Sequence, residues 1–137
     1  MPDPTGHPAL LDATSESFDA LVFAPRGELV VVDFWGAGCP NCEVFARDAP
    51  ALLAELAGEA VRVVKVDARA HDDVARRFGL YGIPTFLLVR DGKLLGRMSQ
   101  YHGRAYWLAV VREHLPAATT AAATPPPPAA THEVPEK

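Results

Sequence analysis

Cysteine is scarce in this chain, with two in 137 residues, at positions 39 and 42. Two thiols cannot build a disulfide framework, which excludes a disulfide-stapled secreted miniprotein. Long apolar runs are missing as well, and no stretch approaches the roughly 18 to 20 residues that a membrane helix needs. No single sign of charge dominates. The formal net charge is −4, and the lysines and arginines are scattered rather than gathered into a patch, so neither nucleic acid nor a membrane surface is an expected partner. The opening segment, Met1 to Pro8, has no positive region and no apolar run. No signal peptide is expected from it, and a cytoplasmic, soluble protein is the default expectation.

About half the residues are hydrophobic, ample for the core of one domain. Nine of the thirteen prolines lie in residues 1–8 and 116–137. The segment from Pro116 to Lys137 is mostly alanine, threonine and proline, with a run at Pro125–Pro128. It has almost no large apolar side chain to offset the entropy of ordering, and a disordered tail with polyproline character is expected there. The expected organisation is a flexible end over 1–8, a folded domain over 9–115 and the tail over 116–137.

Within the domain, Leu10-Leu11 reads as a short first strand. Ser15 to Phe23 has a capping residue and apolar positions at Phe18, Leu21 and Val22, which suits a short helix. Leu29 to Trp35 is a β-branched apolar run, the pattern of a strand covered on both faces. A helix follows from Cys39 to about Ala57, with Pro40 in its first turn and one apolar face of Phe45, Ala49, Leu52, Leu53 and Leu56. Pro50 should kink it. Val61 to Asp67 is the next buried strand, His71 to Phe78 a short helix, and Gly82 to Val89 a strand entered through Pro84. Asp91-Gly92 signals a hairpin to Lys93–Met98. Arg104 to Leu115 is a last helix. The order β-α-β-α-β-α-β-β-α implies an α/β fold, a central mixed sheet with helices on both faces.

Cys39 and Cys42 stand at i and i+3, on one face of a helix turn, with Cα atoms about 5 to 6 Å apart, a span a disulfide tolerates. Such a bond closes a tiny loop and restrains little of the unfolded chain, so it suits being made and broken. Cys39, at the helix start, faces free backbone N–H groups and the positive end of the dipole, both of which stabilise a thiolate. Cys42 is one turn further in and is expected to be more buried. Cys39 should therefore attack a disulfide and Cys42 resolve the mixed disulfide. A structural zinc site wants four ligands, and the five histidines (His7, His71, His102, His114, His132) show no paired spacing. No metal site is expected.

With Val32-Asp-Phe-Trp35 ahead of the C-x-x-C, Lys65-Val-Asp67, Gly82-Ile-Pro-Thr85 and the Asp91-Gly92 hairpin, the chain resembles the thioredoxin family over nearly all of residues 9–115. The resemblance implies a thioredoxin-like fold and a redox-active disulfide that reduces protein disulfides without a cofactor. The implied partners are protein disulfide substrates and a thioredoxin reductase-like electron donor, with the protein acting as a monomer. It makes Asp33 the buried acid that accepts the proton of Cys42. Lys65 becomes its neighbour, Pro84 a cis-proline against the disulfide, Ile83 a backbone partner for an extended substrate, and Trp35 the aromatic beneath the site loop. Gly82 shares that substrate edge.

The match has departures. Pro40-Asn41 stands between the cysteines in place of the usual Gly-Pro. Gly38 replaces the usual Trp, Glu43 the usual lysine, and Gln100 or a neighbour a usual glycine. Pro50 falls a turn late. Together these changes predict a more oxidising couple, although Glu43 opposes a nearby thiolate. Two alternatives follow: a specialised, more oxidising exchanger, or a binding module that uses Gly82, Ile83 and Trp35 while its thiols stay silent.

Overall fold

The computed structural model describes residues 6–117. Five strands form one sheet: β1 (Leu10–Ala13), β2 (Leu29–Trp35), β3 (Val61–Asp67), β4 (Thr85–Arg90) and β5 (Lys93–Ser99). Four helices accompany them: α1 (Phe18–Val22), α2 (Pro40–Glu55), α3 (Asp72–Arg77) and α4 (Arg104–Glu113). The strand order is β1-β3-β2-β4-β5. β3 runs parallel to β1 and β2, while β4 is antiparallel to β2 and β5, so the sheet is mixed as the element order implies.

β2 lies at the centre because every residue from Leu29 to Phe34 is apolar or, at Asp33, enclosed. Side chains alternate across a strand. Leu29 and Val31 pack on the side of α2 and α4, with Phe45, Leu52, Trp107 and Val111. Val30, Val32 and Phe34 pack on the other side, with Phe18 and Val22 of α1 and Val74 of α3. Asp33 continues the first row, so the pleat alone aims it at the helix that carries the cysteines. Phe45 anchors that helix. Its ring meets Phe86 at 4.9 Å, Tyr101 at 5.2 Å and Trp107 at 5.3 Å between centroids. Such aromatic contacts add about 0.5 to 1.5 kcal/mol each beyond their burial, and they hold the second turn of α2 against β4 and α4.

Some boundaries differ from the sequence expectation. The N-cap of α1 is Ser17, which makes no side-chain cap bond to the helix; it exchanges bonds with Thr14 instead, and the Ser15 hydroxyl donates to Asp73 at 2.6 Å. β4 begins at Thr85 rather than Gly82, because Pro84 has no N–H to join the ladder. α2 continues through Pro50, which sits on an exposed face. The hairpin turn has Asp91 at φ 51° and Gly92 at φ 76°, the left-handed pair that a tight two-residue turn requires.

Ahead of residue 9, the Gly6 carbonyl accepts from Gly58 N–H at 3.0 Å and Pro8 is buried. The tail beyond Ala117 lies outside the described residues. Among the described residues no helix is long and apolar enough to cross a membrane.

Candidate active site

β2 ends at Trp35 and passes through the turn Gly36-Ala37-Gly38 to Cys39, the N-cap of α2. Pro40 takes the first helical position, where its missing N–H leaves nothing unpaired. Cys39 and Cys42 are joined by a disulfide, with Cα atoms 5.2 Å apart. Cys42 N–H donates to Cys39 Sγ at 3.2 Å. A backbone donor is thus already aimed at the sulfur that would become the thiolate. As residues the two are equally enclosed, Cys39 at 8% exposure and Cys42 at 7%, so the expected difference in burial is not present in the disulfide form. The difference lies in surroundings. Cys39 Sγ sits 3.8 Å from the Ile83 carbonyl oxygen. Cys42 lines a cleft of about 160 Å³ with Asp33, Trp35, Gly36, Ala37, Glu43, Ala46 and Lys65.

Asp33 is 2% exposed. Burial raises its pKa from 3.8 to about 7, and the nearby positive charge of Lys65 only partly offsets this. It pairs in register with Lys65 on β3 and Phe86 on β4. The Lys65 ammonium lies over the Trp35 ring, 5.1 Å from its centroid. Trp35 Nε1 is buried with no hydrogen-bond partner among the described residues.

The turn before Cys39 is held from two sides. A Cβ on Gly36 would come within 2.7 Å of Ile83 Cδ1 and 3.3 Å of the Arg69 guanidinium carbon. Arg69 donates to the Ala37 carbonyl. Asp67 Oδ1 accepts from the backbone N–H groups of Arg69 at 3.0 Å and Ala70 at 3.1 Å, which ties the turn to the end of β3.

On the other side of the disulfide, the Ile83–Pro84 peptide is cis. Thr85 Oγ1 donates to the Gly82 carbonyl at 2.7 Å, and Gln100 N–H to the Pro84 carbonyl at 2.8 Å. Gln100 also uses its side chain: Oε1 accepts from Asn41 Nδ2 at 2.8 Å, and Nε2 donates to the Ile83 carbonyl at 3.1 Å.

The residues singled out in the sequence therefore converge. Asp33, Trp35, Lys65 and Cys42 share the cleft, while Cys39, Gly82, Ile83 and Pro84 form the rim beside it. The contacts of Arg69, Asn41 and Gln100 were not foreseen. Gln100 at φ 94° carries a local signal, a side chain where glycine is usual, whereas Arg69 comes to the site only through the β2–β3 register. No group of three or more histidine, cysteine or acidic residues able to hold a metal occurs among the described residues.

A disulfide of two cysteines three apart, at the start of a helix on a mixed α/β sheet, defines a thiol–disulfide oxidoreductase. The thioredoxin family model matches residues 9–111. The chain is 28% identical to the thioredoxin of Bacillus subtilis (strain 168) over 107 residues, covering 78% of this chain and 99% of that one. It is 33% identical to thioredoxin C-2 of Corynebacterium nephridii over 88 residues, covering 64% and 80%. Its fold matches that of the short form of spinach chloroplast thioredoxin f with a TM-score of 0.70 at 20% identity, covering 83% of this chain and 98% of that one. The chain belongs to the thioredoxin family.

Proposed function

We propose that the protein runs as a reductase of protein disulfides, with Cys39 as the attacking and Cys42 as the resolving thiol. The observation that carries this is the asymmetry around the pair: a backbone N–H on Cys39 Sγ, and a buried acid that shares a cleft with Cys42.

The reduced protein begins with a Cys39 thiolate, stabilised by Cys42 N–H and the helix N-terminus. The thiolate attacks one sulfur of a substrate disulfide. A Cys39–substrate disulfide forms, and the other substrate sulfur leaves as a thiolate. Cys42 then gives its proton to the Asp33 carboxylate and attacks Cys39 Sγ. The Cys39–Cys42 bond forms and the second substrate sulfur departs. Two electrons have passed to the substrate, and the site ends in the disulfide state. A dithiol donor of the thioredoxin reductase kind returns the two electrons.

Lys65 tunes Asp33, and Trp35 floors the loop. Gly82, Ile83 and Pro84 receive the extended substrate chain beside Cys39, an assignment supported by the 3.8 Å approach of the Ile83 carbonyl to its sulfur. The acting unit is a monomeric domain over 9–115, working in the cytoplasm. The test is reduction of insulin with dithiothreitol as donor. Turnover is expected in the wild type and is expected to be lost in Cys39→Ser; turnover that survives in Cys39→Ser would overturn the assignment.

A further inference from the structure

Gln100 has a positive φ of 94°, a region that L side chains rarely adopt and glycine takes freely. The side chain found there lies across the rim of the site. Its Oε1 accepts from Asn41 Nδ2, between the two cysteines, and its Nε2 donates to the Ile83 carbonyl 3.8 Å from Cys39 Sγ. Asn41 Nδ2 is held in turn by the Tyr101 carbonyl at 3.3 Å. A primary amide offers one C=O and N–H donors, the same bonding groups as a peptide unit. Gln100 thus places an intramolecular stand-in for one peptide unit on the main-chain carbonyl beside the reactive sulfur. The stand-in is exposed and removable.

We propose that Gln100 is a specificity-determining residue, a built-in competitor for the Ile83 carbonyl. This rests on the reading that Ile83 receives an extended substrate. A polypeptide that pairs with Ile83 has to displace the Gln100 amide first. A small disulfide, which brings no strand, reaches Cys39 with the amide in place. The side chain therefore biases the enzyme against polypeptide disulfides that bind weakly and towards small disulfides or polypeptides with enough contact elsewhere to displace it. Tyr81, fully exposed two residues before Ile83, is an available place for such contact.

The experiment compares second-order rate constants of the reduced full-length chain towards insulin and towards bis(hydroxyethyl) disulfide. Wild type, Gln100→Gly and Gln100→Glu are measured. The glutamate keeps the acceptor for Asn41 but cannot donate to the Ile83 carbonyl. The insulin-to-small-disulfide ratio is expected to rise about three- to tenfold in both variants, the range one released hydrogen bond allows. Charge effects of the glutamate on Cys39 fall on both substrates and largely cancel in the ratio. An unchanged ratio in both variants, or a rise in the glycine variant alone, would overturn the proposal, since the second result would mark backbone freedom rather than the amide bond. Near-ultraviolet circular dichroism of Trp107 and Tyr101 checks that each variant is folded; if the glycine variant is not, the glutamate variant decides alone. A wild type inert towards both disulfides would instead overturn the reductase reading itself.

Discussion

Asp33 stands opposite Lys65 across the β2–β3 pair, yet the lysine ammonium lies over the ring of Trp35, 5.1 Å from its centroid. The cation is near enough to pull the acid down but not to cancel its burial, and the carboxyl titrates at about 7. A carboxyl poised there can hold a proton or release one under ordinary conditions, which is what a proton acceptor for a thiol requires.

Burial of that acid makes stability depend on pH, and the sign follows from the raised value. Below pH 3.8 the carboxyl is protonated in both states and contributes no difference. Between about 4 and 7 the unfolded chain ionises while the folded one keeps its proton, so folding stability falls as pH rises. Above 7 the penalty is constant, on the order of 4 kcal/mol, since the value rises from 3.8 to about 7 and each tenfold change in proton affinity is worth about 1.4 kcal/mol. Asp33→Asn should lose this slope. Urea unfolding at several pH values checks it: the gap between variant and wild type should widen in the variant's favour from pH 4 to pH 8. A gap that stays constant would refute the buried titration.

The same acid should govern the second half of the exchange. With Cys42→Ser, attack by Cys39 has no resolving partner, and substrates should accumulate as mixed disulfides visible on non-reducing gels. With Asp33→Asn, mixed disulfides should still form, but their resolution should slow by about 100-fold, the low end of general-base effects. The rise in resolution rate around pH 7 should disappear in this variant. Quench-flow release of the second substrate thiol measures it. Unaltered pH dependence of that step would remove Asp33 from the mechanism.

The ends of β2 and β3 were legible from the sequence to the residue, because runs such as Val30-Val-Val lie in the centre of the sheet and have no competing pattern. The cysteine pair followed from its place at a helix start, and the acid from the resemblance to the thioredoxin family. Register was not legible. That Lys65 meets the Trp35 ring depends on which residue of β3 lies beside which of β2, as does the contact of Arg69 with the turn, and no local pattern encodes either. The start of β4 was misplaced for a local reason: a strand-like run, Gly82 to Val89, contains a proline that cannot join the ladder. Gln100 was visible as an oddity, but its partners Asn41 and Ile83 come from two distant segments.

Gly36 tests the packing of the turn. A methyl there would meet Ile83 Cδ1 at 2.7 Å, with the Arg69 guanidinium on the other side at 3.3 Å. Both atoms are the far ends of flexible side chains, and the half-buried isoleucine can turn its methyl aside at some cost in packing beside the Gly82–Pro84 rim. Gly36→Ala should therefore cost about 1 kcal/mol of stability, the low end of the range for overpacking. It should also depress insulin turnover more than reactivity towards bis(hydroxyethyl) disulfide. Arg69→Ala in the same background should recover little, because the closer contact is with Ile83. Full recovery on removing Arg69 would show that the arginine, not the isoleucine, limits the turn.

The redox poise depends on how well the reduced form holds its thiolate relative to the disulfide. Cys39 has a backbone donor at 3.2 Å, and the residue before it, Gly38, brings no aromatic side chain to the sulfur. Glu43 is the opposing influence, an exposed acid in the first turn of α2, on the wall of the cleft that Cys42 also lines. The donor lies against the sulfur in a largely enclosed site, whereas the acid's effect is screened by solvent. The couple should accordingly lie above the value of about −270 mV typical of thioredoxin. Glu43→Gln should raise it further by roughly 5 to 20 mV, since an exposed charge is worth about 0.2 to 1 kcal/mol and 30 mV corresponds to about 1.4 kcal/mol. Equilibration against glutathione, followed by Trp35 fluorescence, measures both. A wild-type potential at or below the usual value would sink the expectation, and a fall on Glu43→Gln would show that the carboxylate supports the thiolate rather than opposing it.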